Sequence, residues 1–166
     1  MVDRLHDKTA LVTGATSNIG RAIAIAFGEE GARVVVSGRN VARGGEVVTE
    51  IEERTGGRAR FVAADLDGSV RASKNLALAA DDAFGTPVDV LVNNAGIFPP
   101  STTTTVDESM FDEVYALNVK APFFLTAALA PAMNARDAGS IINLGSWVAR
   151  LGIPVGALYA STKGAM

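Results

Sequence analysis

Tyr159 and Lys163 lie four positions apart, so on a helix they share one face. A free tyrosine has a pKa of about 10, too high for an efficient base at neutral pH. A neighbouring ammonium favours the phenolate. A tyrosine–lysine pair at this spacing therefore allows a phenol with a lowered pKa, though the spacing alone is common by chance. Ser146, thirteen positions before Tyr159, and Asn118, in an earlier helical segment, are the other polar candidates. Taken singly, each has a plain structural reading as well. Tyr159 would be a half-buried packing residue, Lys163 a solvated face, Ser146 a loop or cap residue, and Asn118 a local backbone binder.

A second kind of chemistry is written near the start of the chain. Thr13-Gly14-Ala15-Thr16-Ser17-Asn18-Ile19-Gly20 joins an apolar strand to a helix. The first N–H groups of a helix are unpaired and carry a partial positive charge, which suits a pyrophosphate. Gly14 can make the tight turn leaving the strand, and Gly20 lets the helix pack closely on the sheet. Thr16 and Ser17 offer hydroxyl donors. No Gly-Lys-Ser/Thr ending follows, which disfavours a nucleoside-triphosphate P-loop. By itself such a turn serves backbone geometry as readily as dinucleotide binding.

Short apolar runs alternate with helix-length amphipathic segments, and these must position the candidates. Strands are expected at Ala10 to Val12, Arg33 to Ser37, Arg60 to Ala64, Val88 to Val92 and Ser140 to Leu144. Helices are expected at Ile19 to Glu30, at Val41 to Arg54, and from an N-cap at Ser69 to about Phe84. A long helix opens at Asp107 or Ser109 and is kinked or interrupted near Pro122; a last helical pattern begins at Ala157. Near-continuous apolar strands alternating with helices predict an α/β fold: a doubly wound, Rossmann-like parallel sheet with helices on both faces. No repeat or linker divides the chain, so a single domain over residues 1–166 is expected.

Bulk properties remove several function classes. The chain is 48% hydrophobic with a mean hydropathy of +0.24, enough for a core. Its net charge is −3, and its fifteen Lys and Arg are scattered, so no nucleic-acid footprint is expected. It has no cysteine, and His6, in a polar N-terminal stretch, is its one histidine, so neither a thiolate or histidine metal site nor a histidine triad is expected. Met1 to Thr9 lacks the apolar core of a signal peptide. The apolar stretch from Ala121 to Met133 is too short and too interrupted to span a bilayer. A soluble cytoplasmic protein is the expectation.

The motifs gain meaning jointly. The glycine turn, Asn93-Asn94-Ala95-Gly96 after the fourth strand, Asn118, Ser146, and Tyr159-Ala160-Ser161-Thr162-Lys163 occur in one order and spacing. This set resembles the short-chain dehydrogenase/reductase family, and the resemblance covers nearly the whole chain. The family turn reads Thr-Gly-x-x-x-Gly-x-Gly, and Asn18 stands here for its middle glycine. Asparagine tolerates left-handed backbone angles, and its amide can donate to a phosphate.

The resemblance implies a nicotinamide-dependent oxidoreductase acting on a ketone or secondary alcohol. In it Tyr159 is the general acid/base, and Lys163 favours the phenolate and binds the nicotinamide ribose. Ser146 bonds the substrate oxygen, and Asn118 holds a water-linked relay behind Lys163. Cofactor contacts carry over to Gly14, Thr16, Ser17, Asn18, Ile19 and Gly20 in the turn, and to Asp65 and Leu66 after the third strand, where Asp65 meets the adenine amino group. They also carry over to Asn93, Ala95 and Gly96, and to Tyr159 and Lys163 themselves; Asn94 is expected to be structural. After the second strand, Gly38 occupies the position where NAD-specific members carry aspartate, and Arg39 follows. An acidic residue there would repel a 2′-phosphate, whereas a guanidinium pairs one, so NADP(H) is expected over NAD(H).

Ile97 to Pro100, Trp147 and Leu151 to Val155 are candidates for lining a partly apolar substrate pocket. Family members associate through the helices after the fourth and fifth strands, which implies a homodimer or homotetramer. They also continue well past the lysine, whereas this chain ends three residues after Lys163. The expectation is a family fold without its last strands, an exposed fifth strand, and Tyr159 and Lys163 on a mobile terminus. The alternative reading is a non-catalytic dinucleotide-binding module or an inactive fragment of such an enzyme.

Overall fold

The computed structural model describes residues 3–153 and 155–166. Five strands, β1 (Thr9–Val12), β2 (Arg33–Gly38), β3 (Arg58–Ala63), β4 (Val90–Asn93) and β5 (Ser140–Asn143), form one parallel sheet in the order β3-β2-β1-β4-β5. Six α-helices connect or follow them: α1 (Asn18–Glu29), α2 (Val41–Thr55), α3 (Val70–Phe84), α4 (Glu108–Tyr115), α5 (Ala121–Ala135) and α6 (Ala157–Gly164).

Strand periodicity divides the core into two layers. Ala10, Val12, Val34, Val36, Val90 and Val92 face α1 and α2, where they meet Ala24, Ile25, Val47 and Ile51. The residues between them, Leu11, Val35 and Leu91, face α3 and α5, where they meet Leu76, Ala80, Leu125, Leu129 and Met133. The central strands are buried on both faces, which is why they read as unbroken apolar runs. The sheet is doubly wound, as the alternation of elements predicts.

Caps set the helix starts. The side chains of Asn40, Ser69 and Asp107 accept from the backbone N–H of Arg43 (2.9 Å), Ala72 (3.1 Å) and Met110 (2.7 Å). All five strands are found within two residues of the expected bounds, and two of them start two residues away. The fourth strand opens at Val90 rather than Val88, because the Val88 N–H donates to the Asp81 carboxylate (2.8 Å) and its carbonyl accepts from Arg136 (3.0 Å). The third starts two residues early, at Arg58, in register with Arg33. It is an edge strand, so arginines at alternate positions remain exposed. At the other edge lies β5, whose Ile142 is 41% exposed.

The helical path from Glu108 to Ala135 is interrupted near Pro122, as expected, without breaking. It passes through a π-helical turn, Ala116–Lys120, directly before that proline. The resulting 28-residue run is long and apolar enough to cross a membrane, unlike the shorter stretch judged from sequence. It is built into the folded body: Leu125, Leu129 and Met133 pack in the core with α3, and Asn118 is buried in the π turn.

Two adjacent glycines of α2 separate packing from propensity. A Cβ on Gly44 would lie 2.2 Å from the Phe61 ring of β3, whereas one on Gly45 would meet nothing within 4 Å. Gly45→Ala is expected to raise stability by about 0.5–1 kcal/mol through helix propensity. Gly44→Ala is expected to lower it by about 1–3 kcal/mol through overpacking. Paired urea unfolding curves check both signs.

Candidate active site

The sheet order reverses beside β1, whose neighbours β2 and β4 feed helices to opposite faces, and a crevice opens above the carboxyl ends of the strands there. The glycine turn lies in it and is pinned from both sides. Thr13 N–H donates to Val92 carbonyl (3.1 Å), and Ala15 N–H donates to Ser37 carbonyl (2.9 Å). The buried Thr13 hydroxyl donates to Val92 carbonyl (3.2 Å) and accepts from the N–H groups of Asn94 and Ala95 (both 3.1 Å). The Asn94 amide donates to the carbonyls of Thr13 (2.8 Å) and Gly14 (3.2 Å). A Cβ on Gly20 would sit 2.4 Å from both that amide nitrogen and the Gly14 carbonyl oxygen, so this position excludes any side chain.

Asn18 adopts φ +47°, the left-handed conformation that asparagine accommodates in place of glycine. Ser17 is the N-cap of α1, yet its hydroxyl makes no capping bond, and the first turn holds no acidic residue. The positive end of α1 is therefore uncompensated and faces a cleft of about 620 Å³. Gly14, Thr16, Ser17, Asn18, Ile19 and Gly20 form one wall of that cleft, and Ala95 and Gly96 lie on the β4 side. Arg39, Asp65 and Leu66 line it at the ends of β2 and β3. Arg39 and Asp65 face each other at 4.0 Å, but their side chains are 71% and 76% exposed, so the pair is weak and opens readily. A cradle of helix N–H groups, free hydroxyls and a mobile guanidinium fits a ligand carrying phosphates.

Asn93 is the exception among the expected cleft residues. It is buried, and its amide donates to Asn143 of β5 (2.9 Å) and Thr126 of α5 (3.4 Å), so it ties the sheet rather than lining the cleft. Asn94, expected to be structural alone, both clamps the turn and lines the cleft. Arg43 also lines the cleft from the first turn of α2. Its position four residues after Arg39, just inside the Asn40 cap, was the signal available in the sequence.

The second cluster lies beyond Gly96. Asn118 is 1% exposed: its carbonyl oxygen accepts from Ile97 N–H (2.9 Å), and its amide donates to Ile97 carbonyl (3.0 Å) and to Thr162 Oγ1 (3.1 Å). Thr162 Oγ1 donates to Tyr159 carbonyl (2.7 Å), and Tyr115 hydroxyl donates to Ser161 Oγ (3.0 Å). These contacts dock α6 onto the π turn and α4, so Tyr159 and Lys163 stand on a seated helix rather than the loose end expected. Lys163 Nζ donates to Leu144 carbonyl at the end of β5 (2.5 Å) and lies 5.7 Å from the Tyr159 ring centroid. Ser146 caps a 3₁₀ turn, Trp147–Ala149, which packs against α6. The Asn118 side chain makes three hydrogen bonds to protein partners and braces the β4 loop against α6.

Burial pushes the Lys163 ammonium below the ordinary lysine range. The unfolded chain then holds this proton more tightly than the folded one. Lys163 therefore contributes more to stability as pH rises from the depressed folded value toward the unfolded 10.5. Between about pH 7 and pH 10, the urea midpoint of the wild type is expected to rise relative to Lys163→Met. A gap that stays constant across paired melts contradicts this.

A family profile described as short chain dehydrogenase matches residues 8–166. An uncharacterized oxidoreductase of Methylorubrum extorquens is 38% identical over 165 residues, covering 99% of this chain and 65% of that relative. A metagenomic short-chain oxidoreductase solved in complex with NADP superposes with a TM-score of 0.90 at 39% identity, covering 98% of this chain and 72% of that one. A 7α-hydroxysteroid dehydrogenase solved with NADH and 7-oxo glycochenodeoxycholic acid gives 0.91 at 37%, covering 99% and 63%. The chain spans 65%, 61% and 52% of the length of three curated relatives it matches, less than two thirds of each. Motif, sheet order and matched length agree, and the chain belongs to the short chain dehydrogenase family.

Proposed function

We propose that this chain carries the cofactor cleft and acid–base residues of an NADP(H)-dependent oxidoreductase that interconverts a ketone and a secondary alcohol. The observation that carries the reading is the seating of Tyr159 and Lys163 on α6, one Asn118 bridge away from the Ala95-Gly96 side of the cleft. Bound there, the dinucleotide supplies the hydride exchanged with the carbonyl carbon. Gly14, Thr16, Ser17, Asn18, Ile19 and Gly20 hold the pyrophosphate at the start of α1; Asp65 and Leu66 flank the adenine. Lys163, near the ring of Tyr159, bonds the nicotinamide ribose. Ser146 orients the substrate oxygen, and Tyr159 gives it a proton during reduction and takes one during oxidation. Asn118 keeps α6 in register with the cleft.

Arg39 and Arg43 support NADP(H). Both line the cleft beside Gly38, where a Cβ would lie 2.7 Å from Thr16 Cγ2, so the aspartate of NAD-specific members is disfavoured sterically as well as absent. The NADP complex of the metagenomic relative points the same way, and the NADH complex of the hydroxysteroid dehydrogenase shows that the fold serves both. Phe98, Trp147, Leu151 and Val155 are exposed apolar residues around α6 and support a partly apolar substrate; Pro154, also expected there, lies outside the described residues.

NADPH oxidation against fructose, cyclohexanone and a 7-oxo bile acid tests the reading. Tyr159→Phe is expected to lower kcat by at least ~100-fold with the NADPH Kd within about twofold of wild type. Arg39→Ala is expected to weaken NADPH binding by about 10- to 100-fold and NADH binding by less than about threefold. NADPH binding without turnover of any ketone favours a non-catalytic module instead, and a wild-type preference for NADH overturns the cofactor assignment. The same reading includes a homodimer or homotetramer through the helices after β4 and β5, where Phe111 of α4 and Phe123 of α5 are 44% and 69% exposed. Light scattering checks it, and a monomer at micromolar concentration contradicts it.

A further inference from the structure

The loop leaving β4 is anchored at two points, and one aromatic side chain is held between them. At the first anchor, Ile97 exchanges both backbone groups with the Asn118 amide (2.9 and 3.0 Å). At the second, the carbonyl of buried Ser101 accepts from Gly156 N–H, the N-cap of α6 (2.7 Å). Pro99 and Pro100 stiffen the span between them, and Phe98, preceding Pro99, is restricted to extended backbone angles. Its ring lies against that of Tyr159, with centroids 4.6 Å apart and planes tilted by 31°. The same ring fills the space beside Gly156, where a Cβ would be 2.4 Å from Phe98 Cε2.

Among the described residues the Tyr159 hydroxyl has no hydrogen-bond partner, so no polar contact sets the direction of its ring. Phe98 is 48% exposed, which a side chain placed only to fill a core would not be. We propose that Phe98 is a positioning residue for Tyr159: clamped between Asn118 and Gly156, it fixes the plane in which the phenol meets the substrate oxygen. This rests on the acid–base reading of Tyr159 given above. Its effect belongs to turnover rather than to cofactor binding, because Phe98 itself does not line the dinucleotide cleft, although its neighbour Ile97 does. Misplacement by about 1 Å from a reacting geometry is enough to slow a reaction by up to about 100-fold.

The experiment compares Phe98→Leu, which keeps apolar bulk but removes the flat ring, with Phe98→Tyr, which keeps the ring. Turnover is measured with NADPH and the ketone of the panel that the wild type reduces fastest. NADPH Kd is measured by fluorescence, and the chain is labelled with ring-¹³C tyrosine for NMR. The protein has two tyrosines, so signals missing from Tyr159→Phe belong to Tyr159. The expected result is a fall of about tenfold in kcat for Phe98→Leu, with NADPH Kd within about twofold. Phe98→Tyr is expected to stay within about threefold of wild-type kcat, and the Tyr159 signals are expected to move in Phe98→Leu as the ring current is lost. Wild-type kcat in Phe98→Leu, equal damage in both variants, a parallel loss of cofactor affinity, or unmoved Tyr159 signals each overturns the proposal. Full turnover in Tyr159→Phe overturns the acid–base reading itself, whereas its loss there beside wild-type turnover in Phe98→Leu overturns only the positioning role. Should the wild type reduce none of the ketones, the NMR comparison decides alone, moved Tyr159 signals supporting the proposal and unmoved ones overturning it.

Discussion

Thr13 and Asn94 form the junction on which the rest of the site depends. Thr13 follows β1 and Asn94 follows β4, and between them they satisfy the backbone groups left open where the two neighbouring strands diverge. Both side chains are short and polar, and both reach only backbone atoms. Their bonds hold the glycine turn against the β4 loop so closely that Gly14 and Gly20 have no room for a Cβ. Without this clamp the first turn of α1 would not be aimed into the crevice. The crevice itself follows from topology, because a parallel sheet that reverses its winding at β1 must open there.

From that junction, order passes outward along the β4 loop. Ala95 and Gly96 line the cleft, and Ile97 is gripped by the Asn118 amide. The same amide reaches Thr162, whose hydroxyl bonds the carbonyl of Tyr159. Three bonds of the Asn118 side chain thus connect the wall of the cleft to the helix that bears Tyr159 and Lys163. The π turn places Asn118 where it can make both, since the wider coil presents this buried side chain toward the loop and α6 together. A short helix such as α6 gains little from propensity alone; its position comes from these contacts and from burial of Leu158, Thr162 and Lys163.

Burial of Lys163 is a local cost carried by this arrangement. Its ammonium loses solvation and is compensated by the Leu144 carbonyl, which has no further strand to bond among the described residues. Arg39 and Asp65 show the opposite condition at the cleft mouth, where solvent keeps both charges cheap and rearrangeable. The interior near α6 is thus buried and bonded, whereas the rim near the ends of β2 and β3 is open to solvent.

Most of this architecture was legible in the chain. Apolar runs such as Val34-Val35-Val36, the cap Ser69, the helix opening near Asp107, and the stops between them are local features, and local physics is enough to read them. Joined motifs were legible too, because their chemistry depends on residue type and order. Tertiary contacts decided what periodicity cannot express. Val88 left the strand because Asp81 and Arg136, distant in sequence, took its backbone groups. Asn93 turned from the cleft toward Asn143 and Thr126, while its neighbour Asn94 took the clamp; adjacent residues on a strand end point to opposite sides, and only the packed sheet says which side meets the ligand. The helix at Pro122 stayed whole through a π turn, and Phe98 came to rest on Tyr159. Residue types and spacing therefore determined what chemistry this protein carries, and the fold decided which side chains stand close enough to perform it, because proximity between distant segments is settled by packing and not by sequence order.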